Sequence, residues 1–376
     1  MRKDIIHSKL PDVFTFNNGE RVNSVKSWEK RRREIIDTAL ELEYGGMPPK
    51  PDKMWVEPLT FIDFRGIYNY RIHCVVNQKE LTFTFTVFLP SIEKNKKFPV
   101  ILSGDMLYVW CFNDEVMKEA HSRGFAVVKF NRNELAHDMY VIENNLKREG
   151  GIYDLFPNSK FCAISAWAWG YHRVIDALVD LPFVEKEHIC LAGHSRGGKT
   201  VMLASATDER VFATNPNGSG AHGCGCYRYE QREDKGVYMV DRSETMVDLF
   251  IKFPYWMNQD LLPYKDNPHE LFYDQHFFKA LIAPRGLFET NAYGDIWANP
   301  RGSYLTHIAA KEVWKLYEKE ENTGYFYRLG GHVHSKEDFI AYFDFLEGML
   351  GKKPKYESKI PYDDIEPIHD WSCPKK

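Results

Sequence analysis

The sequence contains no run of 18 apolar residues, and its first residues do not form the apolar stretch of a signal peptide. A membrane-spanning helix needs about 20 mostly apolar residues, and a signal peptide needs an apolar stretch of about 7–15 residues. We therefore expect no membrane span. The chain as given is expected to be cytoplasmic, or secreted or periplasmic if a signal peptide was removed.

An excess of charge of one sign is also missing. The 376 residues include 49 Lys and Arg against 53 Asp and Glu, which leaves a formal net charge of −4. Nucleic acids and anionic membranes attract strongly basic surfaces. Neither is expected as a partner of this chain.

Cysteines with the spacing of a metal site are absent. The seven cysteines are scattered along the chain, whereas zinc sites commonly show Cys-x-x-Cys pairs. Cys224 and Cys226 lie near His222, but only one residue separates them and no second pair exists. We expect buried free thiols and no metal.

The chain shows no internal repeat, no low-complexity segment and no evident linker, which favours one domain over residues 1–376. An amphipathic pattern predicts a helix over 27–42, with Ser27 as its N-cap and Gly45 and Gly46 after its end. Alternating apolar and polar residues predict a hairpin with strands at 68–76 and 81–89. Residues 1–97 would thus form an N-terminal extension.

From residue 98 onward, strand-like and helix-like segments alternate. The predicted strands are 98–102, 125–130, 188–192, 211–215, 286–290 and 325–329. The predicted helices are 113–123, 163–180, 196–206 and 339–350. Such alternation predicts an α/β three-layer sandwich, with a mostly parallel sheet between helices on both faces. Residues 98–350 would form the core, with cap loops over 218–278, and 351–376 a C-terminal tail.

A Gly-x-Ser-x-Gly motif joins the predicted strand 188–192 to the predicted helix 196–206, with Ser195 between Gly193 and Gly197. This pattern is typical of the nucleophile elbow of α/β-hydrolases, in which a sharp turn exposes one serine. The glycines let the strand and helix pass closely. The motif therefore predicts Ser195 as the nucleophile of a hydrolase.

A serine nucleophile needs a base and an acid that orients the base. In α/β-hydrolases these follow the serine in the order acid, then histidine. Asp295 follows the predicted strand 286–290 and is the expected acid, with Glu289 inside that strand as the alternative. His332 follows the last predicted strand and is the expected base, with His334 as the alternative.

Two cations lie close to the serine, Arg196 and Lys199. Cations at this position favour an anionic group, either the developing oxyanion or a carboxylate of the substrate. The alternative is that both are solvated on the helix surface. We expect the oxyanion to bind the backbone N–H and the side chain of Arg196, together with an N–H near Met106.

The elbow and the segments after it resemble the glucuronoyl esterases of carbohydrate esterase family 15. The similar segments are 193–199 (GHSRGGK), 217–223 (NGSGAHG), 243–245 (SET), 253–256 (FPYW), 274–276 (DQH), 280–285 (ALIAPR), 294–300 (GDIWANP) and 328–332 (RLGGH). They spread over roughly residues 98–350.

The resemblance implies an α/β-hydrolase without metal or organic cofactor. It would cleave esters of (4-O-methyl-)glucuronic acid with an alcohol, as in lignin–xylan links, so its partner would be a small carbohydrate ester or a glucuronoxylan fragment. By resemblance, Ser195 is the nucleophile and His332 the base, and the Arg196 side chain holds the oxyanion. The residues that would contact the sugar hydroxyls are Lys199, Glu244 and Trp297.

One departure from the family concerns the catalytic acid. Many members carry a catalytic Glu 23 residues after the serine, where this chain has Gly218. The resemblance therefore points to Asp295 as the acid. Two alternative functions stay open at this stage: an acetyl xylan, other carbohydrate acetyl or feruloyl esterase, and a non-catalytic carbohydrate-binding relative.

Overall fold

A computed structural model describes residues 4–107, 112–138, 148–234 and 240–375. Its strands are β1 (Ile5–Ile6), β2 (Lys53–Ile62), β3 (Ile67–Val76), β4 (Lys79–Phe88), β5 (Phe98–Ser103), β6 (Ala126–Phe130), β7 (Val184–His194), β8 (Val211–Asn217), β9 (Tyr229–Glu230), β10 (Arg232–Asp234), β11 (Val240–Arg242), β12 (Gly286–Ala292) and β13 (Thr323–Arg328).

The α-helices of the described residues are α1 (Val25–Ile35), α2 (Glu41–Tyr44), α3 (Asp114–Ser122), α4 (Ile152–Leu155), α5 (Ala163–Leu178), α6 (Arg196–Thr207), α7 (Met246–Lys252), α8 (His276–Ala280), α9 (Pro300–Leu316) and α10 (Lys336–Met349). A π-helical turn, Ile36–Leu40, joins α1 to α2. None of these helices is long and apolar enough to cross a membrane.

Nine of the described strands form one sheet in the order β13-β12-β8-β7-β5-β6-β4-β3-β2. The strands from β13 to β6 pair in parallel, as the alternation of strands and helices predicts. The hairpin β3–β4 is antiparallel and joins this sheet through β4, which pairs with β6. The α/β class and the hairpin are thus confirmed.

The burial of each strand follows its residue pattern. β5 is buried at all six positions, as expected for a strand covered on both faces. In β3, by contrast, buried and half-buried positions alternate from Tyr70 to Val76, because only one face of the hairpin packs on the core. The central strand β5 is therefore covered on both faces, whereas the hairpin is covered on one.

The structure corrects the predicted start of the first helix. Ser24, and not Ser27, is the N-cap, and Ser27 occupies the third helical position of a capping box with it. The helical stretch ends at Gly45, whose φ of 72° lies in the left-handed region that glycine tolerates. The predicted end of this segment is therefore confirmed, while its start moves upstream.

Two of the elements that were not predicted are long, namely β2 and α9. The strand β2 forms an edge of the sheet, where many of its side chains are exposed, so its sequence alternates weakly. The helix α9 is buried at most of its 17 positions, so it lacks the one-sided apolar stripe that identifies a surface helix.

The C-terminal tail lies against the N-terminal segment. The Leu10 N–H donates to the Ile368 carbonyl at 2.8 Å, and Trp371 Nε1 donates to the Leu10 carbonyl at 3.0 Å. Hydrogen bonds therefore join the N-terminal and C-terminal segments of the described chain.

The cysteines of the described residues are free thiols. Five are buried and Cys373 is half-buried, while Cys111 lies outside the described residues. Cys224 and Cys226 contact Met202 and Asp274, respectively. Within the described ranges, no group of three His, Cys, Asp and Glu side chains is arranged to hold a metal ion.

Candidate active site

Ser195 occupies the sharp turn between β7 and α6. Its φ of 56° and ψ of −118° are unusual for a residue with a side chain, and such a conformation costs about 1–3 kcal/mol. The turn is held by two backbone donors: Ser195 N–H donates to the Asn217 carbonyl at 2.9 Å, and His194 N–H to Asp105 Oδ2 at 3.0 Å. The strained turn presents the Ser195 hydroxyl at the carboxyl edge of the sheet.

The two glycines of the motif are required by close contacts. A Cβ at Gly193 would collide with the Gly197 carbonyl, and a Cβ at Gly197 would collide with the Asp105 carboxylate. A larger residue at either position would push α6 away from β7. The spacing of the motif thus has a direct steric cause.

His332 and Asp295 line up with the serine. His332 Nε2 lies 2.9 Å from Ser195 Oγ, and His332 Nδ1 lies 2.7 Å from Asp295 Oδ2. The three residues come from loops after β7, β12 and β13, whose carboxyl ends meet at one edge because the strands are parallel. Asp295 is 5% exposed, while the His332 side chain is 38% exposed and so open to a substrate.

The two alternative residues have other partners. His334 is buried, its Nε2 lies 3.0 Å from Asn215 Oδ1, and its ring stacks on Phe339 at 3.9 Å. Burial lowers the pKa of His334 well below its usual value. Glu289 is held in a buried cluster, 2.8 Å from Lys279 Nζ and 2.7 Å from His307 Nδ1. Neither lies in the row that contains Ser195.

Arg196 directly follows Ser195 and begins α6. Its backbone N–H lies in the first turn of α6, where a helix supplies no carbonyl partner. Its guanidinium lies 4.6 Å above the ring centroid of Trp256 and donates from Nη1 to Asp138 Oδ1 at 2.9 Å. The side chain is 28% exposed, so it is held at the elbow rather than extended into water.

The N–H of Met106 has another partner. It donates to the Phe130 carbonyl oxygen at 3.3 Å, and an oxyanion could use it only if that hydrogen bond were given up. The Met106 N–H is therefore already engaged in this structure, and the oxyanion roles of Met106 and Arg196 stay predictions.

Lys199, Glu244 and Trp297 lie together. Lys199 Nζ is 2.8 Å from Glu244 Oε2 and also donates to the Ala221 carbonyl, and the Glu244 N–H donates to the Trp297 carbonyl at 2.9 Å. Lys199 is only 2% exposed, so it is not a solvated surface cation. Burial lowers its pKa, and the Glu244 carboxylate opposes this effect. The pair offers a donor and an acceptor side by side.

A cleft of about 430 Å³ lies beside Trp297 and the His332–Asp295 pair. Its lining combines charged and aromatic side chains with the predicted acid and base: Asp241, Arg242, Asp248, Lys252, Asp295, Trp297 and His332. The ammonium of Lys252 lies 4.1 Å from the centroid of the Trp297 ring. Such a mixed, open cleft suits a hydroxyl-rich ligand with one flat apolar side.

A buried polar cluster behind Lys199 was not foreseen. Glu43 is fully buried and accepts hydrogen bonds from Tyr227 at 2.6 Å, Tyr273 at 2.6 Å and Gln275 at 2.9 Å, and lies 2.7 Å from His222 Nδ1. His222 belongs to the loop whose Ala221 carbonyl accepts from Lys199. The cluster therefore fixes the loop against which Lys199 is placed.

This cluster predicts a loss of stability at alkaline pH. Burial opposes the protonation of His222, but the charge of Glu43 prevails and raises the pKa of His222 to about 9. A raised pKa stabilises the fold fully below the unfolded pKa near 6.5 and loses that contribution as the pH rises through about 9. We expect this pair to contribute about 3 kcal/mol less to the free energy of unfolding above pH 9 than at pH 6.5.

Urea unfolding of wild type and His222→Gln across pH 6–9.5 measures this contribution. The difference between the two proteins should shrink as the pH rises, because the variant lacks the titrating group. His188→Gln, which removes a partly exposed histidine beside Glu185, is the matched control. Its free energy of unfolding should differ from that of wild type by a constant amount across this pH range. A parallel decline of wild type and His222→Gln would contradict the expectation.

The parallel sheet and the strand–serine–helix turn define the class of the protein as an α/β-hydrolase. A family model described as glucuronyl esterase, fungi, matches residues 72–318, which is more than half of the chain. The chain belongs to the glucuronyl esterase family. The resemblance seen in the motifs is thus confirmed, and the protein is a carboxylic ester hydrolase.

Individual relatives agree with this family. A 4-O-methyl-glucuronoyl methylesterase of Hypocrea jecorina is 29% identical over 381 residues, which cover 98% of this chain and 76% of the relative. An enzyme of the same name from Schizophyllum commune is 28% identical, over 87% of this chain and 78% of the relative. A family 15 glucuronoyl esterase of known structure, from Caldicellulosiruptor kristjansonii, is 27% identical with a TM-score of 0.83, over 98% of this chain and 97% of that chain.

Proposed function

We propose that this protein hydrolyses esters between an alcohol and glucuronic acid or its 4-O-methyl ether, with Ser195, His332 and Asp295 as the catalytic triad. The observation that carries the proposal is the hydrogen-bonded row of these three side chains next to the Lys199–Glu244 pair. The names of the relatives support the substrate. The partner would be a small carbohydrate ester or a fragment of glucuronoxylan.

The first half of the reaction forms an acyl-enzyme. His332 Nε2 accepts the proton of Ser195 Oγ while Oγ attacks the ester carbonyl carbon. The negative charge moves to the carbonyl oxygen, where the Arg196 N–H and guanidinium stabilise it. The bond to the alcohol oxygen then breaks, and that oxygen takes the proton from His332. Asp295 keeps Nδ1 protonated and stabilises the positive imidazolium that forms between the two proton transfers.

The second half repeats these steps with water. Water gives a proton to His332 and attacks the acyl carbon, and the second tetrahedral intermediate collapses as Ser195 Oγ leaves with that proton. The products are the free uronate and the alcohol. Charge develops at the same oxygen in both halves, so one oxyanion site serves both.

The sugar would bind beside the reacting carbonyl. Hydroxyl groups both donate and accept hydrogen bonds, so a sugar hydroxyl can accept from the Lys199 ammonium while it or its neighbour donates to the Glu244 carboxylate. The indole of Trp297 would pack on the less polar side of the ring. An acetyl group carries no hydroxyl for this pair, which separates the proposed substrate from an acetate ester.

Replacement of the pair distinguishes these substrates. In Lys199→Met/Glu244→Gln both buried charges are removed together, so neither is left unpaired. We expect kcat/KM for benzyl glucuronate to fall by about 10–100-fold, since hydrogen bonds to charged groups contribute about 1.5–3 kcal/mol each. The value for p-nitrophenyl acetate should change by less than about 3-fold, because that ester does not contact the pair.

Initial rates of wild type and variant on both esters provide the test. Equal losses on the two esters would contradict a role of the pair in sugar binding and indicate a general defect. Turnover of acetate alone by the wild type would move the assignment to a carbohydrate acetyl esterase. A lack of labelling by a fluorophosphonate would indicate a non-catalytic relative.

A further inference from the structure

Asp138 is a fully buried carboxylate that contacts the elbow through the Arg196 side chain. Its Oδ1 accepts from Arg196 Nη1 at 2.9 Å and from the Tyr255 hydroxyl at 2.7 Å, and its Oδ2 lies 3.4 Å from Arg132 Nη2. A buried carboxylate is costly unless it is paired. A carboxylate that bridges two guanidinium groups is therefore a candidate for a defined role.

The Arg196 guanidinium is held from two directions. The Trp256 ring lies below it at 4.6 Å, and Trp256 is in turn stacked on Phe253 with a centroid distance of 3.9 Å. An aromatic face fixes the height of a guanidinium but allows it to rotate and slide. The hydrogen bond from Nη1 to Asp138 fixes that remaining freedom.

The same network reaches the backbone of the nucleophile. Arg132 pairs with Asp105, and Asp105 Oδ2 accepts the His194 N–H at 3.0 Å. The Asp105 carboxylate also fills the space beside Gly197. Asp138 and Asp105 therefore connect the guanidinium of Arg196 to the turn that carries Ser195.

Charges of opposite sign alternate along this network from Arg196 to Asp138, Arg132 and Asp105. Asp138 weakens the positive field of Arg196, while Arg132 offsets Asp138. The charge of Asp138 would therefore weaken the stabilisation of an oxyanion by Arg196, so a charge effect does not explain a role of Asp138 at the elbow. Preorganised orientation is the contribution that remains, and it is the property on which stabilisation of an oxyanion depends.

We propose that Asp138 is a positioning residue, which holds the Arg196 guanidinium in the orientation that stabilises the oxyanion that forms at Ser195. This inference deepens the proposed function and rests on its serine mechanism, but it does not depend on the sugar. Without Asp138 the long Arg196 side chain would sample several rotamers over the Trp256 ring. The transition state would then bear the entropic cost of ordering it.

A kinetic double-mutant cycle between Asp138→Ala and Arg196→Met tests the proposal. Two rates are measured: kcat on benzyl glucuronate, and the rate constant for modification of Ser195 by a fluorophosphonate, which places an oxygen in the same oxyanion site without a sugar. We expect Asp138→Ala to slow both by about 10–100-fold, less than the about 10²–10³-fold typical for loss of an oxyanion donor. KM should change little.

The decisive value is the effect of Asp138→Ala in the Arg196→Met background. We expect less than about a 3-fold further loss there, because no guanidinium remains to be positioned. Equal losses in both backgrounds, or a faster single variant, would overturn the proposal. Asp138→Asn retains an acceptor for Arg196 and should recover part of the rate, and it replaces Asp138→Ala in the cycle if that variant does not fold.

A matched control separates positioning from general destabilisation. Asp274 is also fully buried and paired with an arginine, Arg228, at 3.1 Å. Asp274→Asn should lower the melting temperature without coupling to Arg196→Met. If wild type is labelled at Ser195 but does not cleave the glucuronate, the substrate assignment fails while the labelling cycle still decides the role of Asp138. If Ser195 is not labelled, both proposals are overturned.

Discussion

Replacing Ser195 with alanine is expected to lower kcat on benzyl glucuronate by about 10⁴-fold or more. The alanine side chain cannot form the acyl-enzyme, while the Arg196 donors and the sugar contacts stay in place. KM should change little for the same reason. Initial rates at saturating ester, with protein concentrations high enough to detect slow turnover, measure the loss.

Stability provides the necessary check on this variant. Ser195 has a φ of 56°, and alanine tolerates that conformation no better than serine, so the melting temperature should stay close to wild type. Ser205→Ala is the matched control: this serine lies on the same helix and is fully buried, and its hydroxyl has no hydrogen-bond partner within the described residues. Residual turnover above about one tenth of wild type in Ser195→Ala would contradict the role of this serine.

The location of the site could be predicted because its signals are local. The Gly193 contact is with the carbonyl of Gly197, four positions later, so this steric requirement is visible in the local sequence. Asp295 and His332 were selected by chain order, and the parallel sheet brings their loops to Ser195. In a parallel sheet the loops that follow the strands lie at the same edge, so residues in these loops come close together although they are distant in sequence.

The residues that support the site could not be predicted in this way. Glu43 lies 179 positions from its partner His222, and Asp138 lies 58 positions from Arg196. Each is one acidic residue among many in the sequence, and its role depends on packing between distant elements. The sequence pattern carries no period or motif that records such contacts.

The order of residues along the chain does not by itself distinguish Glu289 from Asp295 as the catalytic acid. Both carboxylates fit the sequence order for a catalytic acid. In the structure Glu289 lies within β12 and faces Lys279 and His307, while Asp295 lies in the loop beyond the strand end. A position inside the strand predicts burial away from the edge, and this physical difference favours Asp295.

Replacement of Asp295 with asparagine is expected to lower kcat by about 10³–10⁴-fold with little change in the fold. Asp295 accepts the Nδ1 proton of His332 at 2.7 Å. An asparagine can present its NH₂ group to Nδ1, which places the ring proton on Nε2, and that nitrogen can then no longer accept the Ser195 proton. The measurement is kcat on benzyl glucuronate, with circular dichroism to establish that the variant is folded.

Glu289→Gln is the matched control. Replacement of Glu289 should lower mainly the stability, whereas replacement of Asp295 should lower mainly kcat. Glu289 compensates two buried basic groups, so its loss should reduce the free energy of unfolding by about 3–5 kcal/mol, while the folded fraction keeps most of its kcat. Gly218 strengthens the expectation for Asp295. A Cβ there would lie 3.1 Å from Asp295 Oδ2 and 3.6 Å from His332 Nδ1, so this is where an acid could approach the same nitrogen, and glycine offers none. Because Gly218 has no side chain, no carboxylate at that position can replace Asp295. A fall in kcat of less than about 10-fold would show that His332 is oriented by another group.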